Sequence, residues 1–422
     1  MHAISLDEPV PGRGGAMDGI IGTAVLAALF FLPPGLFFLT DEVDSHADGL
    51  AIACGLSLVV LTMLGRPLRI APALIVVGLL VMLHFAVASL LQPLNLQRGF
   101  LSLALMWLVF ATATIFSGWF FQLDDKTIGR IVPILLVAMF MIGLFNILEI
   151  QPAGGRNVVK PIFPFTEPGH FGPILTPVLL FVCARTNLLN RSLLIGAALA
   201  LAYTVQSLTL LVGTIMTAII LLPGYLLVAG GIGLVATVEL LDLEYFAERL
   251  DFSLHSTNLS VLAYLEGWEF MASSMERTGG WGIGFQQLGW VPFTSPAADA
   301  ILRLTGQDFN LTDGTFVAAK FVSEFGLFAI PVLVLFVIMA MRAAWSLRRI
   351  AFGKIDRPAG EILAMAFICS YGIDAFVRGV GWFTGTTFML IAALLHYVGR
   401  ARRRKLVEEA ATTFAPGVAQ VY

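Results

Sequence analysis

The chain has 422 residues, of which 58% are hydrophobic and 13% charged, and its formal net charge is −3. Soluble domains carry roughly 25% charged residues, so this composition excludes an ordinary water-soluble enzyme and points to an integral membrane protein. The charge balance singles out no partner, and no nucleic acid is expected among them.

The first nineteen residues hold Asp7, Glu8, Arg13 and Asp18 and lack the basic, apolar and small-residue zones of a cleavable leader. Residues 1–19 therefore read as a cytoplasmic tail before a span that stays in place. Apolar runs of the ~20 residues needed to cross a ~30 Å hydrocarbon core recur from Ile20 to Tyr397. Only helices and closed barrels satisfy their backbone in lipid, and continuous runs indicate helices. The predicted fold class is all-α: a polytopic helical membrane protein with about 12 transmembrane helices and a large periplasmic loop between helices 9 and 10.

In chain order the predicted spans are 20–39, 49–64, 70–91, 100–121, 131–150, 171–184, 193–206, 208–222, 225–240, 316–341, 360–377 and 380–397. The first nine fill 20–240 and enclose a loop at 151–170. The large loop is 241–315, helices 10–12 occupy 316–397, and 398–422 form a cytoplasmic tail. Between 192 and 241 the only breaks are Gln206-Ser207 and Pro223-Gly224, which leaves three short spans or two long ones. The cysteines Cys54, Cys183 and Cys369 fall inside apolar runs without paired or metal-like spacing and read as small core residues.

Short cytoplasmic loops are enriched in Lys and Arg. With twelve spans and an inner N-terminus, the outer side keeps only Arg98, Arg156, Lys160, Arg249, Arg277, Arg303 and Arg378, and Lys320 falls within a span. The remaining basic residues are inside, including five in the tail GRARRRKL. Two spans in 192–241 would give the halves opposite senses, which the basic loops on both sides of that stretch oppose.

The outer loop 151–170 ends in KPIFPFTEPGHFGPIL, residues 160–175, whose prolines 161, 164, 168 and 173 are expected to delay the next helix. In 241–315, SVLAYLEGWEFMASSMER sets Val261, Leu262, Leu265, Trp268, Met271 and Met275 at helical spacing, as in an amphipathic helix at the interface. GGWGIGFQQLGW follows as a glycine-rich turn.

Four segments carry a resemblance: TEPGHFGP, WGIGFQQLG, DGTFVAAKFVSEFGLFAI and FVRGVGWFT. In that order they are similar to motifs of the O-antigen polymerase and ligase superfamily, polytopic glycosyltransferases of GT-C-like architecture with one large outer loop. The sequence departs from the ligase branch, which usually has a His-Asn pair where LTDGTF stands, and has Gly169 where the polymerases carry serine. The resemblance therefore implies a polysaccharide repeat-unit polymerase of the bacterial inner membrane with both termini cytoplasmic. Such an enzyme transfers a growing glycan from a polyprenyl diphosphate carrier to a hydroxyl of the next lipid-linked repeat. Donor and acceptor oligosaccharides, the bilayer, and a chain-length regulator and flippase of the same pathway are the implied partners.

This chemistry requires fixed cations at the departing diphosphate and a proton acceptor at the attacking hydroxyl. It needs no sugar nucleotide, and no cofactor or metal is expected. Glu167 and His170 are candidate catalytic residues; Glu167 alternatively caps the sixth span, and His170 alternatively makes a structural hydrogen bond. Arg156 and Lys160, in the same loop, are candidate diphosphate or glycan contacts or lipid-headgroup anchors. Arg378 is the sharpest cation, since a charge near the bilayer interior costs about 2.5 to 3.5 kcal/mol on insertion scales and needs a partner or a task. Asp374, one turn earlier, is its alternative structural partner. Arg277, before the glycine-rich turn, is a further diphosphate or glycan contact. Asp313 is a second candidate carboxylate or a helix cap. Trp268, Trp281 and Trp290 suit sugar stacking or an aromatic belt, and Lys320 with Glu324 reads as a buried pair four residues apart. Two other functions stay open: a ligase delivering glycan to a lipid A core, and a transporter of lipid-linked oligosaccharides.

Overall fold

A computed structural model of the chain describes residues 15–40, 42–43, 45–150, 162–237, 248–249, 251–291, 293, 295–307 and 314–414. The described residues are all-helical apart from one isolated bridge between Ile162 and Phe165. In order the helices are α1 (Ala16–Leu39), α2 (His46–Met63), α3 (Pro72–Leu91), α4 (Leu96–Phe120), α5 (Asp125–Ile147), α6 (Pro168–Arg185), α7 (Leu188–Thr204), α8 (Leu208–Leu221) and α9 (Gly224–Thr237). They continue as α10 (Leu259–Arg277), α11 (Pro296–Thr305), α12 (Val317–Phe325), α13 (Ala329–Ala351), α14 (Ala359–Ser370), α15 (Gly372–Phe376) and α16 (Gly385–Phe414). A single 3-10 turn, Gly326–Phe328, joins α12 to α13.

Among the described residues seven helical segments are long and apolar enough to cross a membrane: α1 to α5, the continuous Val317–Ala351, and Ala359–Phe376. Helices α7, α8 and the first part of α9 are apolar but shorter, and they break at the two points expected from sequence. The chain is a helical membrane protein with an inside-out burial pattern. Helices α6 and α14 are apolar all round and buried along nearly every residue, so they form the centre of the bundle. By contrast α3 exposes Val76, Leu79, Leu80 and Leu83, and α13 exposes Val332, Val334, Leu335 and Met341, apolar faces suited to lipid.

Two packing features shape the end of the bundle where α2, α4, α6 and α8 begin. Gly49 lies so close to the backbone of Pro33 that a Cβ there would sit 2.6 Å from its Cα, which lets α2 start tight against α1. Gly172 lies equally close to α8, where a Cβ would be 2.7 Å from the Leu210 nitrogen, and the capping Ser207 hydroxyl donates to the Pro168 carbonyl at 2.9 Å. Small residues at such contacts allow the backbone approach on which helix packing in lipid depends.

The prolines before α6 do not delay it. Pro168 is its first residue, three positions earlier than expected, because the N1 position needs no amide hydrogen and proline presets φ there. Ahead of it Ile162 and Phe165 close a tight turn, with Phe163 packed on Phe38 and Phe165 on Phe31 of α1.

The segment after α9 folds onto this same end. Helix α10 buries Val261, Leu262 and Phe270 against neighbouring elements, chiefly α11 and α12. Trp268 on its other side is 45% exposed. The glycine-rich turn then works as a strap. Gly280, Gly282 and Gly284 all have positive φ, and the amides of Ile283 and Gly284 donate to Ser323 and Glu324 at 3.0 and 2.9 Å. On its far side Gln92 donates to the Ile283 carbonyl at 2.8 Å, and Gln287 accepts from the Asn95 amide at 2.8 Å. The α3–α4 connection and α12 are thereby tied through one turn.

Candidate functional site

The site begins with the first turn of α6. Glu167 occupies the N-cap position, yet its carboxylate makes no cap hydrogen bond. Instead Glu167 Oε1 accepts from the Arg378 guanidinium and lies 2.9 Å from His170 Nε2. The capping alternative for Glu167 is therefore replaced by an ion pair with a residue 211 positions away. The other imidazole nitrogen, Nδ1 of His170, meets the Thr166 hydroxyl at 3.3 Å, so both nitrogens of His170 are engaged.

Arg378 is delivered by the bend after α15. Its amide donates to the Ile373 carbonyl at 2.9 Å, and the next amide, Gly379, donates to Thr315 at 2.8 Å, pinning the bend to the start of α12. Space for a side chain at 379 is absent, since a Cβ would lie 2.8 Å from the Asp374 carbonyl oxygen. The structural partner considered for Arg378, Asp374, turns elsewhere. Its Oδ1 accepts from Thr386 at 2.9 Å, while Oδ2 is buried without a hydrogen-bond partner. Gly169 makes room for the observed pair, for a Cβ there would come 3.2 Å from both Arg378 Nε and Glu167 Oε1.

The Glu167 and Arg378 side chains are partly accessible, at 34% and 22%. Burial pushes the Glu167 carboxyl up, but Arg378 and His170 outweigh it and hold the group well below its usual value of 4.5. Glu167 is consequently an anion at neutral pH, paired with Arg378 and His170. Of the Arg378 guanidinium nitrogens only NH2 is hydrogen-bonded among the described residues, which leaves Nε and NH1 free to bind a ligand.

Two cavities adjoin this cluster. The smaller, about 40 Å³, is lined by Arg378, His170, Gly169, Asp374 and Thr386. The larger, about 700 Å³, lies between the starts of α2 and α4 and the turn 380–383. Asn95, Gln97, Arg98, Lys320 and Trp382 are among its walls. His46 and Val380 line both. The roomier space thus sits beside the ion pair rather than on it, and His46 marks the junction. Sequence reasoning passed over His46, whose ring stacks edge-on against His170 at 5.2 Å between centroids. The available signal was a histidine opening a span directly after the polar turn DEVDS.

The other expected residues divide. Lys320 and Glu324 form the buried pair at 3.2 Å, and Trp382 Nε1 donates to Glu324 at 2.7 Å. Arg277 is exposed at the end of α10 and lines neither cavity. Trp281 is stacked on His84, with ring planes 2° apart, whereas Trp290 is 54% exposed. Arg156, Lys160 and Asp313 lie outside the described residues. Among the described residues no three His, Cys, Asp or Glu side chains gather as metal ligands.

The fold and the site define a helical membrane protein with a cation, a carboxylate and two imidazoles gathered where the bundle meets its largest loop. No family model, curated protein or solved structure matches the chain.

Proposed function

We propose that the chain is an inner-membrane glycosyltransferase that polymerises polyprenyl-diphosphate-linked oligosaccharide repeats at the periplasmic face. The observation that carries this reading is Arg378, a guanidinium oriented by Glu167, with Nε and NH1 unbonded among the described residues and a cavity beside it. A departing diphosphate gathers negative charge as the glycosidic bond breaks, and a planar guanidinium matches its oxygens in bidentate fashion. Preorganised donors at such a position lower the barrier because they need no rearrangement during the reaction. In this reading Glu167 and His170 keep Arg378 in place, and the lipid tail of the substrate extends along the apolar helices into the bilayer.

The topology that suits the reading has twelve spans. Helices α6 to α9 and α16 join the seven long segments, and both termini lie in the cytoplasm. The loop 151–170, the segment 241–315 and the Arg378 bend then lie outside, where flipped lipid-linked repeats arrive. A chain-length regulator and a flippase act in the same pathway. Asp313, Arg156, Lys160 and Arg277 remain candidate contacts for the glycan or diphosphate. Catalysis runs on the cations and carboxylates of the chain, so no metal ion is required.

The test is polymer length. Purified protein in detergent, supplied with lipid-linked single repeats from host cells deleted for this chain, should lengthen them, and should do so equally in EDTA. Unchanged single repeats would remove the polymerase reading, and polymer lost in EDTA but restored by magnesium would remove metal independence. A transporter would leave the repeats unaltered, since detergent offers no second compartment.

A further inference from the structure

We propose that the larger cavity receives the acceptor sugar and that His46 takes the proton from its attacking hydroxyl. The inference rests on the polymerase reading and adds the base and the acceptor subsite, neither of which the motif segments supply.

Three groups at the junction have basic atoms, and their surroundings differ. Glu167 is committed to Arg378 and His170. His170 has one ring nitrogen on Glu167 and the other on Thr166. His46 makes ring contacts with Phe37 and His170, at 4.9 and 5.2 Å between centroids, and neither of its nitrogens is hydrogen-bonded among the described residues. Its imidazole is held between two aromatic rings and keeps its nitrogens for whatever enters the cavities. Asp374 also has an idle oxygen, but it lines only the cavity of about 40 Å³, which is too small for a sugar ring.

Position reinforces the choice. The reacting carbon must lie next to the diphosphate, hence next to Arg378, while the acceptor needs space for at least one ring. Arg378 lines the small cavity, the 700 Å³ space is the large one, and only His46 and Val380 line both. Of these, His46 alone can accept a proton. The larger cavity also has the composition of a carbohydrate site. Asn95, Gln97 and Gln286 offer amide donors and acceptors, and Trp382 offers an apolar ring face.

The step balances within the substrates. The acceptor oxygen forms a bond to the anomeric carbon as the bond from that carbon to the diphosphate oxygen breaks, and its electron pair leaves with the polyprenyl diphosphate held by Arg378. The hydroxyl proton passes to an idle nitrogen of His46 and then to solvent. No oxidant, reductant or metal enters.

The experiment uses the full chain and the lipid-linked single repeats described above. His46→Ala should elute as folded protein and lose turnover on the order of 100-fold, the scale of a general base, with the acceptor KM moved much less. His46→Gln, which keeps much of the volume and the polarity, should be equally slow. Added imidazole should restore part of the His46→Ala rate, whereas pyrazole, of the same shape but far weaker as a base, should not. Filling the larger cavity with Ser102→Trp should raise the acceptor KM. A His46→Ala or His46→Gln enzyme within about threefold of wild type, far short of the loss expected on removing a base, would overturn the base. Rescue by pyrazole equal to that by imidazole would do the same, and an unchanged KM in Ser102→Trp would overturn the subsite. Failure of wild type to make polymer condemns the underlying reading instead, so the two failures are distinct.

Discussion

Two arginines at opposite ends of the bundle use the same side chain in contrasting ways. Arg191, in the first turn of α7, is 3% exposed and has no carboxylate partner among the described residues. Its Nε donates to Cys183, NH1 to Leu221, and NH2 to Thr186 and Ala351, all at 2.8 or 2.9 Å. These carbonyls end α6, α8 and α13, where helix dipoles place partial negative charge. Arg348 repeats the arrangement by donating to the carbonyls of Ile219 and Ile220. Arg378 instead rests on one carboxylate with two nitrogens idle beside a cavity. A buried guanidinium that spends all three nitrogens on helix-end carbonyls holds helices together, and one that keeps two nitrogens beside a cavity is positioned to hold a ligand. The cavity matters as much as the unspent nitrogens, since Arg348 also bonds through NH1 alone but lines neither cavity.

The contrast breaks most directly by exchanging the residues' losses. Arg191→Ala strands several buried carbonyls, each costing about 1–3 kcal/mol, and should leave little monodisperse protein on size-exclusion chromatography. Arg378→Lys keeps the charge but loses the planar fork. It should fold at near wild-type yield and lose polymer formation by about 100-fold or more, in the range seen when one preorganised donor is removed. Well-folded Arg378→Lys making full-length polymer would end the distinction, as would healthy yields of Arg191→Ala.

A smaller effect concerns pH. The Glu167 carboxyl is held below its usual 4.5 in the folded chain, so its pairing contributes stability that is fully present above that value and lost as pH falls through the depressed one. The unfolding midpoint of wild type should therefore exceed that of Glu167→Gln by a constant margin between about pH 5.5 and 8, and the margin should shrink below about pH 4.5. A margin that already varies between pH 6 and 8 would mean that Glu167 does not govern the cluster.

How far the sequence announced these roles depends on distance along the chain. Continuous apolar runs located the helix starts to within about six residues, because lipid demands length and internal hydrogen bonding over any other property. Helices α13 and α16 nevertheless run on to Ala351 and Phe414, well past the expected ends at 341 and 397, since a helix can continue through polar residues outside lipid. Lys320 with Glu324 was legible because helix geometry fixes what residues four apart can do. Arg378 was legible as a costly charge, but its partner was not. Asp374 is adjacent in sequence yet points to Thr386, while Glu167 arrives from 211 residues earlier. His46 stood out only as a histidine after the polar DEVDS, since nothing in SHADG specifies that α2 starts against α6. Trp281 shows the converse, a residue whose motif suggested sugar stacking but whose ring is occupied by His84.

The finest test of the comparison is Gly169→Ser, which introduces the residue that the resembling polymerases carry. Its Cβ would lie 3.2 Å from Arg378 Nε and from Glu167 Oε1, closer than ordinary contact, but both atoms end flexible side chains that can shift by a few tenths of an ångström. The backbone at 169 is helical, so no conformational strain is added. The pair should survive slightly displaced, with folded yield unchanged and polymer formation reduced by less than about tenfold, equivalent to under about 1.4 kcal/mol in transition-state stabilisation. A collapse matching that of Arg378→Lys would mean that displacement alone disables Arg378, which would make its placement as decisive as its charge. An unchanged rate would mean that the guanidinium works across a range of positions, as a diffuse cation does, and the importance of the planar fork would then have to be judged from Arg378→Lys alone.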